Sequence, residues 1–416
     1  MFRAFLSAIV SLAVATLLFS ASFKIRFGVS DQLVTITPAL VLGVCSILAN
    51  MLDRRLFLQR LKLALLFALL AGASLYSFSL GGLQETAILT RILINCSLGF
   101  FIVLFPWNRR SVSWLLLVLV VFACVLAVNT LMIYDTLGSR RGYEGEIREG
   151  YLNVTFAAAV GSICALYRII ERLDPVNVAM FVLCWIGTAL SLGRGALLFG
   201  AFVSVVYLFA ALSMTVSTMG RAKKMIIALL FTAIAPLVFF QAMSVERTAK
   251  RLTTLFTDAD SGAGVSGRFS RYEVALADFV ERPIFGNGMG AYLGDSVSSL
   301  GYPHNIVLQY LVDGGLIGGS IIVFFLVAIL MLVRAALKLG GPEARNIVLA
   351  TGALYLLMLL SYMKSHDAYR GLEMFILSAL PIATYLSLRL ETQRLRRAVR
   401  RKRSRPLAFG VQRAGP

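Results

Sequence analysis

Charged residues are scarce in this sequence. Asp, Glu, Lys and Arg make up 15% of its 416 residues, against 58% hydrophobic, and mean hydropathy is +0.81. An ordinary soluble domain carries about 25% charge, so a soluble globular class is excluded. Histidine occurs only twice, and no His, Cys, Asp or Glu cluster has metal-ligand spacing. The five cysteines, Cys45, Cys96, Cys124, Cys164 and Cys184, all lie inside apolar blocks. They form neither a zinc motif nor a disulfide framework. There is no ATPase motif and no Ser-His-Asp grouping, which removes nucleotide-driven transport and triad hydrolysis. No internal repeat is visible.

What fills the chain is apolar sequence in blocks of about 20 residues. Such a block is the length a helix needs to cross roughly 30 Å of hydrocarbon. The blocks predict an all-α polytopic membrane protein, a single domain over 1–416, with about 12 transmembrane helices. The expected spans are 4–22, 33–52, 63–80, 88–106, 112–133, 152–170, 176–192, 195–213, 225–243, 315–334, 346–363 and 372–389. The first block is read as a span, not as a removed signal peptide.

The formal net charge is +19, which would fit nucleic acid if the cations were clustered for it. They are not. Ten of the 40 Lys and Arg residues lie from Arg389 onward, and most others punctuate the ends of apolar blocks. That distribution marks the cytoplasmic face and its anionic lipid heads, so membrane lipid is an expected partner and nucleic acid is not. Basic connections alternate with poor or acid-balanced ones along the chain. Both termini, including the basic tail 390–416, are therefore expected in the cytoplasm of a bacterium. The polar interval 244–305 then becomes one large periplasmic loop.

That loop holds Arg247, Lys250, Arg251, Arg268, Arg271 and Arg282. Basic residues facing outward beside a membrane suit an anionic partner such as a lipid-linked phosphate. Within it, apolar residues at Phe269, Tyr272, Leu276, Phe279 and Val280 predict an amphipathic helix on the membrane or on the bundle. Asp258–Gly267 reads as a flexible run. Gly286–Gly290 (GNGMG) resembles a phosphate-binding glycine loop but lacks its lysine and βα context, and reads as a turn. Asp258 and Asp260 resemble a metal-binding Asp-x-Asp pair, but no further acidic ligand is nearby. The apolar run from Ile306 is too long for one crossing, and a break is expected at Gly314–Gly315.

Six residues are candidates for chemistry. His304 precedes the apolar run, and a neutral imidazole can take a proton from a hydroxyl near pH 7. A histidine beside a helix cap is the plainer alternative, with Asn305 next to it. Arg194 sits at a tight turn before a helix whose free N–H groups would join its guanidinium in holding phosphate. A charge at an inter-helix turn is also ordinary. Arg268 and Arg271 are three residues apart and can share a helix face. Arg91, with Asn95 one turn on, is expected to be buried in the fourth span near its outward end, where an arginine is costly unless it works or snorkels.

These motifs together resemble the O-antigen ligase / O-antigen polymerase family of bacterial membrane glycosyltransferases. The resemblance rests on Ser191–Ala196 (SLGRGA), on Ser266–Arg268 leading to Pro283–Gly288, and on His304–Asn305 followed after nine residues by Gly315, Gly318 and Gly319. The family often has tryptophan where this chain has Tyr272. The resemblance implies an inverting, metal-independent transfer without cofactors, in the inner membrane. The donor would be a glycan on undecaprenyl diphosphate, and the acceptor a sugar hydroxyl of lipid A–core or the end of another glycan. His304, Arg194 and Arg268 would be catalytic, with His304 handling the acceptor proton and the arginines neutralising the leaving diphosphate. Arg271, Arg91 and Asn305 would bind substrate. A ligase is the first reading and a polysaccharide polymerase the second. A transporter of polysaccharide or lipid is the alternative of another class, but its expected repeated halves or mid-membrane polar sites are not evident.

Overall fold

The computed structural model describes residues 2–51, 54–81, 86–132, 146–191, 193–214, 225–229, 265–294, 303–364 and 371–403. Thirteen helices of eight or more residues organise them. They are α1 (Phe2–Leu18), α2 (Ser20–Phe27), α3 (Thr37–Met51), α4 (Arg54–Gly81), α5 (Thr86–Leu104), α6 (Arg109–Met132) and α7 (Glu146–Glu171). The rest are α8 (Pro175–Leu190), α9 (Arg194–Met214), α10 (Val265–Glu281), α11 (Ile306–Leu339), α12 (Pro342–Tyr362) and α13 (Leu372–Arg403). No strand occurs among the described residues. The protein is an all-α polytopic membrane protein. Nine described helices are long and apolar enough to cross a membrane, or ten if the bent pair α1–α2 is one span. The span expected over 225–243 lies outside the described residues beyond 229.

Most predicted spans are helices close to their expected bounds. The first is different, because α1 and α2 meet at a 65° bend. The apolar run stops at Phe19, and α2 carries Ser20, Ser22, Lys24 and Arg26, ending on Gly28 in the left-handed region. Lys24 pairs with Asp31 beyond that cap. The seventh is short: α8 has 16 residues, roughly 24 Å. It starts sharply because the Asp174 carboxylate accepts the Asn177 N–H at 2.8 Å, an N-cap with proline at the first turn.

The buried centre is built from α7 and α13, which are the most enclosed of the spanning helices. Small residues let their neighbours close in. A Cβ on Gly187 of α8 would lie 2.6 Å from the Ala127 Cβ of α6, and one on Gly161 of α7 would strike Ala123 of α6. In lipid, helices associate through such close packing and not through hydrophobic exclusion. At one end of the bundle, Tyr207 donates to Asn346 Oδ1 at 2.8 Å, and Asn346 donates to Glu171 at 2.7 Å. This satisfied polar chain ties α9, α12 and α7 together.

The predicted break in the long apolar run is present. Gly315 has φ 61° and ψ −155° inside α11. Unbroken, 34 residues would reach about 51 Å, well beyond the bilayer core. The break separates a short segment, Ile306–Gly314, from a span of normal length. The two segments lie against each other, since a Cβ on Gly318 would meet the Tyr310 carbonyl at 2.7 Å and one on Gly319 would strike Leu311.

Candidate active site

The site is organised by backbone that has no side chains in the way. The loop after α10 threads into the break of α11. Asn287 N–H donates to the Val312 carbonyl at 2.8 Å, Gly288 N–H to Asp313 at 3.0 Å and Leu316 N–H to Pro283 at 2.8 Å. Met289 N–H reaches the Ser77 carbonyl near the end of α4 at 2.9 Å. Gly286 and Gly315, both at positive φ, touch backbone to backbone, and Gly288 touches Gly81 of α4 in the same manner. The turn expected over Gly286–Gly290 is thus a clamp joining α4, the loop and the broken helix.

The amphipathic helix is present as α10. It begins at Val265, so the end of the run expected to be flexible is helical, while 258–264 lie outside the described residues. The bundle side of α10 is smaller than the sequence pattern implied. Ala275 packs with Val312 of α11 and Tyr292, flanked by Val274 and Leu308. Leu276 and Val280 stay exposed, as do Ile284 and Phe285 beyond the helix. These four form an apolar edge suited to a bilayer surface.

Arg268 and Arg271 both lie on α10. The Nε of Arg271 is buried and makes no hydrogen bond among the described residues. Its carbonyl accepts from the Tyr292 hydroxyl at 3.4 Å. Burial pushes the Tyr292 phenol up, the Arg271 charge opposes this, and Asp278 adds to it. The arginines matter through placement and not through the charge of the loop. Its six basic residues are offset by Glu246, Asp258, Asp260, Glu273, Asp278, Glu281 and Asp295. The interval is therefore not basic as a whole, and its basic residues suit an anionic partner only where they gather locally.

His304 precedes α11 with φ 55°, the one non-glycine residue at positive φ among those described. It is half-buried and follows the buried Pro303. Asn305 is the N-cap: its Oδ1 accepts from Val307 and Leu308 N–H at 3.0 and 3.2 Å. The cap oxygen is committed to the helix, so a substrate contact by Asn305 would have to use its amide nitrogen. Behind them, Gln309 and Asp313 are buried polar residues one turn apart on the short segment. The i, i+4 spacing in an otherwise apolar run was the available signal for this polar face.

Arg194 opens α9. Its turn is held by Thr155 of α7, whose hydroxyl accepts from Gly193 N–H at 3.1 Å and donates to the Ser191 carbonyl at 3.2 Å. The main neighbours of α9 are α7 and α12. Chain direction places Arg194 at the His304 end of the bundle. Helices α11 and α12 are joined by a tight turn and pack together, so α12 ends near the break in α11, the end to which the segment carrying His304 is attached. There Lys364 lies 5.2 Å from the Phe199 ring, near the start of α9. Lys364 is a cation at this end that sequence reasoning missed.

Arg91 differs from its expected setting. Asn95 is buried, with its Nδ2 lacking a hydrogen bond among the described residues, but Arg91 is exposed. It lies close enough to Lys24 for the two charges to repel. Its side chain therefore faces outward from the bundle and is not packed inside it, and from near a helix end its long stem can reach the interface.

Comparison with known families completes the description. Residues 179–323 match the family model described as O-Antigen ligase. The match covers about a third of the chain. The matched segment contains Arg194, Arg268, Arg271, His304, Asn305 and Gly286, Gly288 and Gly315 of the clamp, and it leaves out Gly81 and Arg91. No curated protein matches the chain.

Proposed function

We propose that the protein is a glycosyltransferase that moves a glycan from a lipid-linked diphosphate to a sugar hydroxyl, at the end of the bundle holding His304. The carrying observation is the O-antigen ligase match over 179–323, which contains five of the six candidate residues. The donor is a glycan on undecaprenyl diphosphate, and the site faces the periplasm from the inner membrane with both termini cytoplasmic. The acceptor oxygen attacks the anomeric carbon from the side opposite the diphosphate. The new glycosidic bond forms as the bond to diphosphate breaks, with inversion, and His304 accepts the hydroxyl proton. Arg194 and Arg268 meet the charge that develops on the leaving diphosphate, a preorganised electrostatic role that needs no metal. Arg271, with its buried Nε, holds the donor phosphate, while Arg91 and the amide of Asn305 contact substrate further out. The half-buried His304, fixed beside a helix N-terminus, supports this assignment.

A ligase acting on lipid A–core is the first reading, and a polymerase that extends another lipid-linked glycan is the second. Cells carrying His304→Ala as the only copy decide between them on a lipopolysaccharide gel with a lipid-linked glycan extract. Loss of the ladder with long glycan retained on the lipid carrier is the result expected of a ligase. Core capped by one repeat marks a polymerase, and an unchanged ladder overturns the role of His304.

A further inference from the structure

An arginine cluster lies at the opposite end of the bundle. A cavity of about 360 Å³ is lined by Arg3 of α1, Arg60 of α4, Arg109 and Arg110 of α6, and Arg394 of α13. Glu391 is the one carboxylate in its lining, so five guanidinium groups face one acid and the lining carries a formal charge of +4. Arg60 and Gly81 sit near the two ends of α4, 21 residues and roughly 30 Å apart. The cavity therefore lies a full helix length away from the glycine clamp.

Cations at helix ends are expected at a cytoplasmic face, and Arg3, Arg110 and Arg394 are exposed as such cations are, but they share one cavity with the half-buried Arg109 and the buried Arg60. Here they converge. Arg60 is 2% exposed. Its Nη1 donates to Asn50 Oδ1 at 2.8 Å, and Asn50 is fixed in turn by the carbonyls of Ser46 and Leu104 at 2.7 and 2.9 Å. Burying a guanidinium costs several kcal/mol unless opposite charge or hydrogen bonds offset it, and a relay of this kind orients the group. Phe105 and Trp107 supply an apolar wall. Their rings meet edge to face at 5.0 Å, and the indole N–H is held by the Ile102 carbonyl at 2.7 Å. Tryptophan beside arginine is the pairing found at headgroup depth. The volume is at the low end for small-ligand sites, roughly 300–1,000 Å³, which suits a headgroup better than a glycan repeat.

We propose that this arginine cavity binds the phosphate of an anionic phospholipid in the leaflet that faces the two termini. Arginine forks match phosphate oxygens in two-point contacts. A basic pocket between transmembrane helices on the cytoplasmic side is the setting in which anionic headgroups are held. The site joins α1, α4, α6 and α13, so the bound lipid bridges the first and last helices of the described bundle.

Thermal unfolding of the full chain in an uncharged detergent tests this, with phosphatidylglycerol titrated in. The expected result is a saturable rise in Tm that phosphatidylcholine does not produce. The exposed pair Arg110→Gln/Arg394→Gln should leave the lipid-free Tm in place and raise the half-saturating lipid concentration about tenfold or more. The tail pair Arg396→Gln/Arg397→Gln should bind as wild type does. An equal rise with phosphatidylcholine, or unchanged half-saturation in the cavity pair, overturns the proposal. Inorganic phosphate reproducing the whole shift without lipid overturns the lipid assignment in favour of a free-anion site.

Discussion

Replacing Gly315 by alanine should open the clamp without unfolding the bundle. At φ 61° and ψ −155° the position lies where residues with a Cβ pay about 1–3 kcal/mol. The new methyl would also strike the Ile284 carbonyl and lie 2.6 Å from Gly286 N. Those are backbone atoms that cannot rotate aside, and such overpacking adds about 1–3 kcal/mol. Against this stand the bonds from Asn287, Gly288, Met289 and Leu316, at 2.8–3.0 Å, and a longer one from Ile317 at 3.5 Å. At about 1 kcal/mol net for each sound bond, the clamp is worth roughly 4 kcal/mol. The cost and the gain are of similar size, so the loop lets go while α4 and the lower part of α11 stay packed. Hydrogen exchange on the detergent-solubilised protein reads this directly. Protection of the Asn287, Gly288 and Leu316 amides should fall by about tenfold or more, since each 1.4 kcal/mol is a factor of ten, and glycan transfer should fall with it. Gly72→Ala is the control, because a Cβ there meets nothing within 4 Å, and alanine in a helix is favoured by up to about 1 kcal/mol. Native protection of the three amides in the Gly315 variant, together with full activity, would refute the reasoning.

Two further substitutions separate structure from chemistry at the start of α11. His304→Gly removes the imidazole but suits φ 55°, so Tm should hold or rise slightly while glycan transfer is lost; retained transfer would reduce His304 to a backbone element. Asn305→Ala deletes the N-cap and should cost about 1 kcal/mol, whereas Asn305→Asp should keep the cap and the stability. Equal thermal shifts in the two Asn305 variants would show that the cap is not what holds this segment.

The helices and the site were legible in the sequence to different degrees, for identifiable reasons. Spans announce themselves because about 20 apolar residues in succession have few other places to go. The break in α11 was legible for a related reason, since the run from Ile306 was too long and carried Gly314–Gly315 where a turn was needed. The bend between α1 and α2 was not, because Ser20 and Ser22 are tolerated in a span and only Lys24 and Arg26 show that the chain has left the apolar layer. Arg91 shows what one-dimensional reading cannot supply. Its depth was readable, but whether it faces the core or the exterior depends on the rotation of α5, which its neighbours decide. The glycine clamp is harder still. Gly286 and Gly315 lie 29 residues apart, and each alone looks like punctuation. Their meaning arises only when two backbones touch, and a missing side chain leaves no pattern for periodicity to detect. The arginines of the cavity make the same point from the opposite direction. Each of Arg60, Arg109, Arg110 and Arg394 was explained singly by the charge rule for helix ends, and that sufficient explanation hid their convergence. A rule that accounts for every residue one at a time says nothing about whether they meet, and both ends of this protein are built from residues that do.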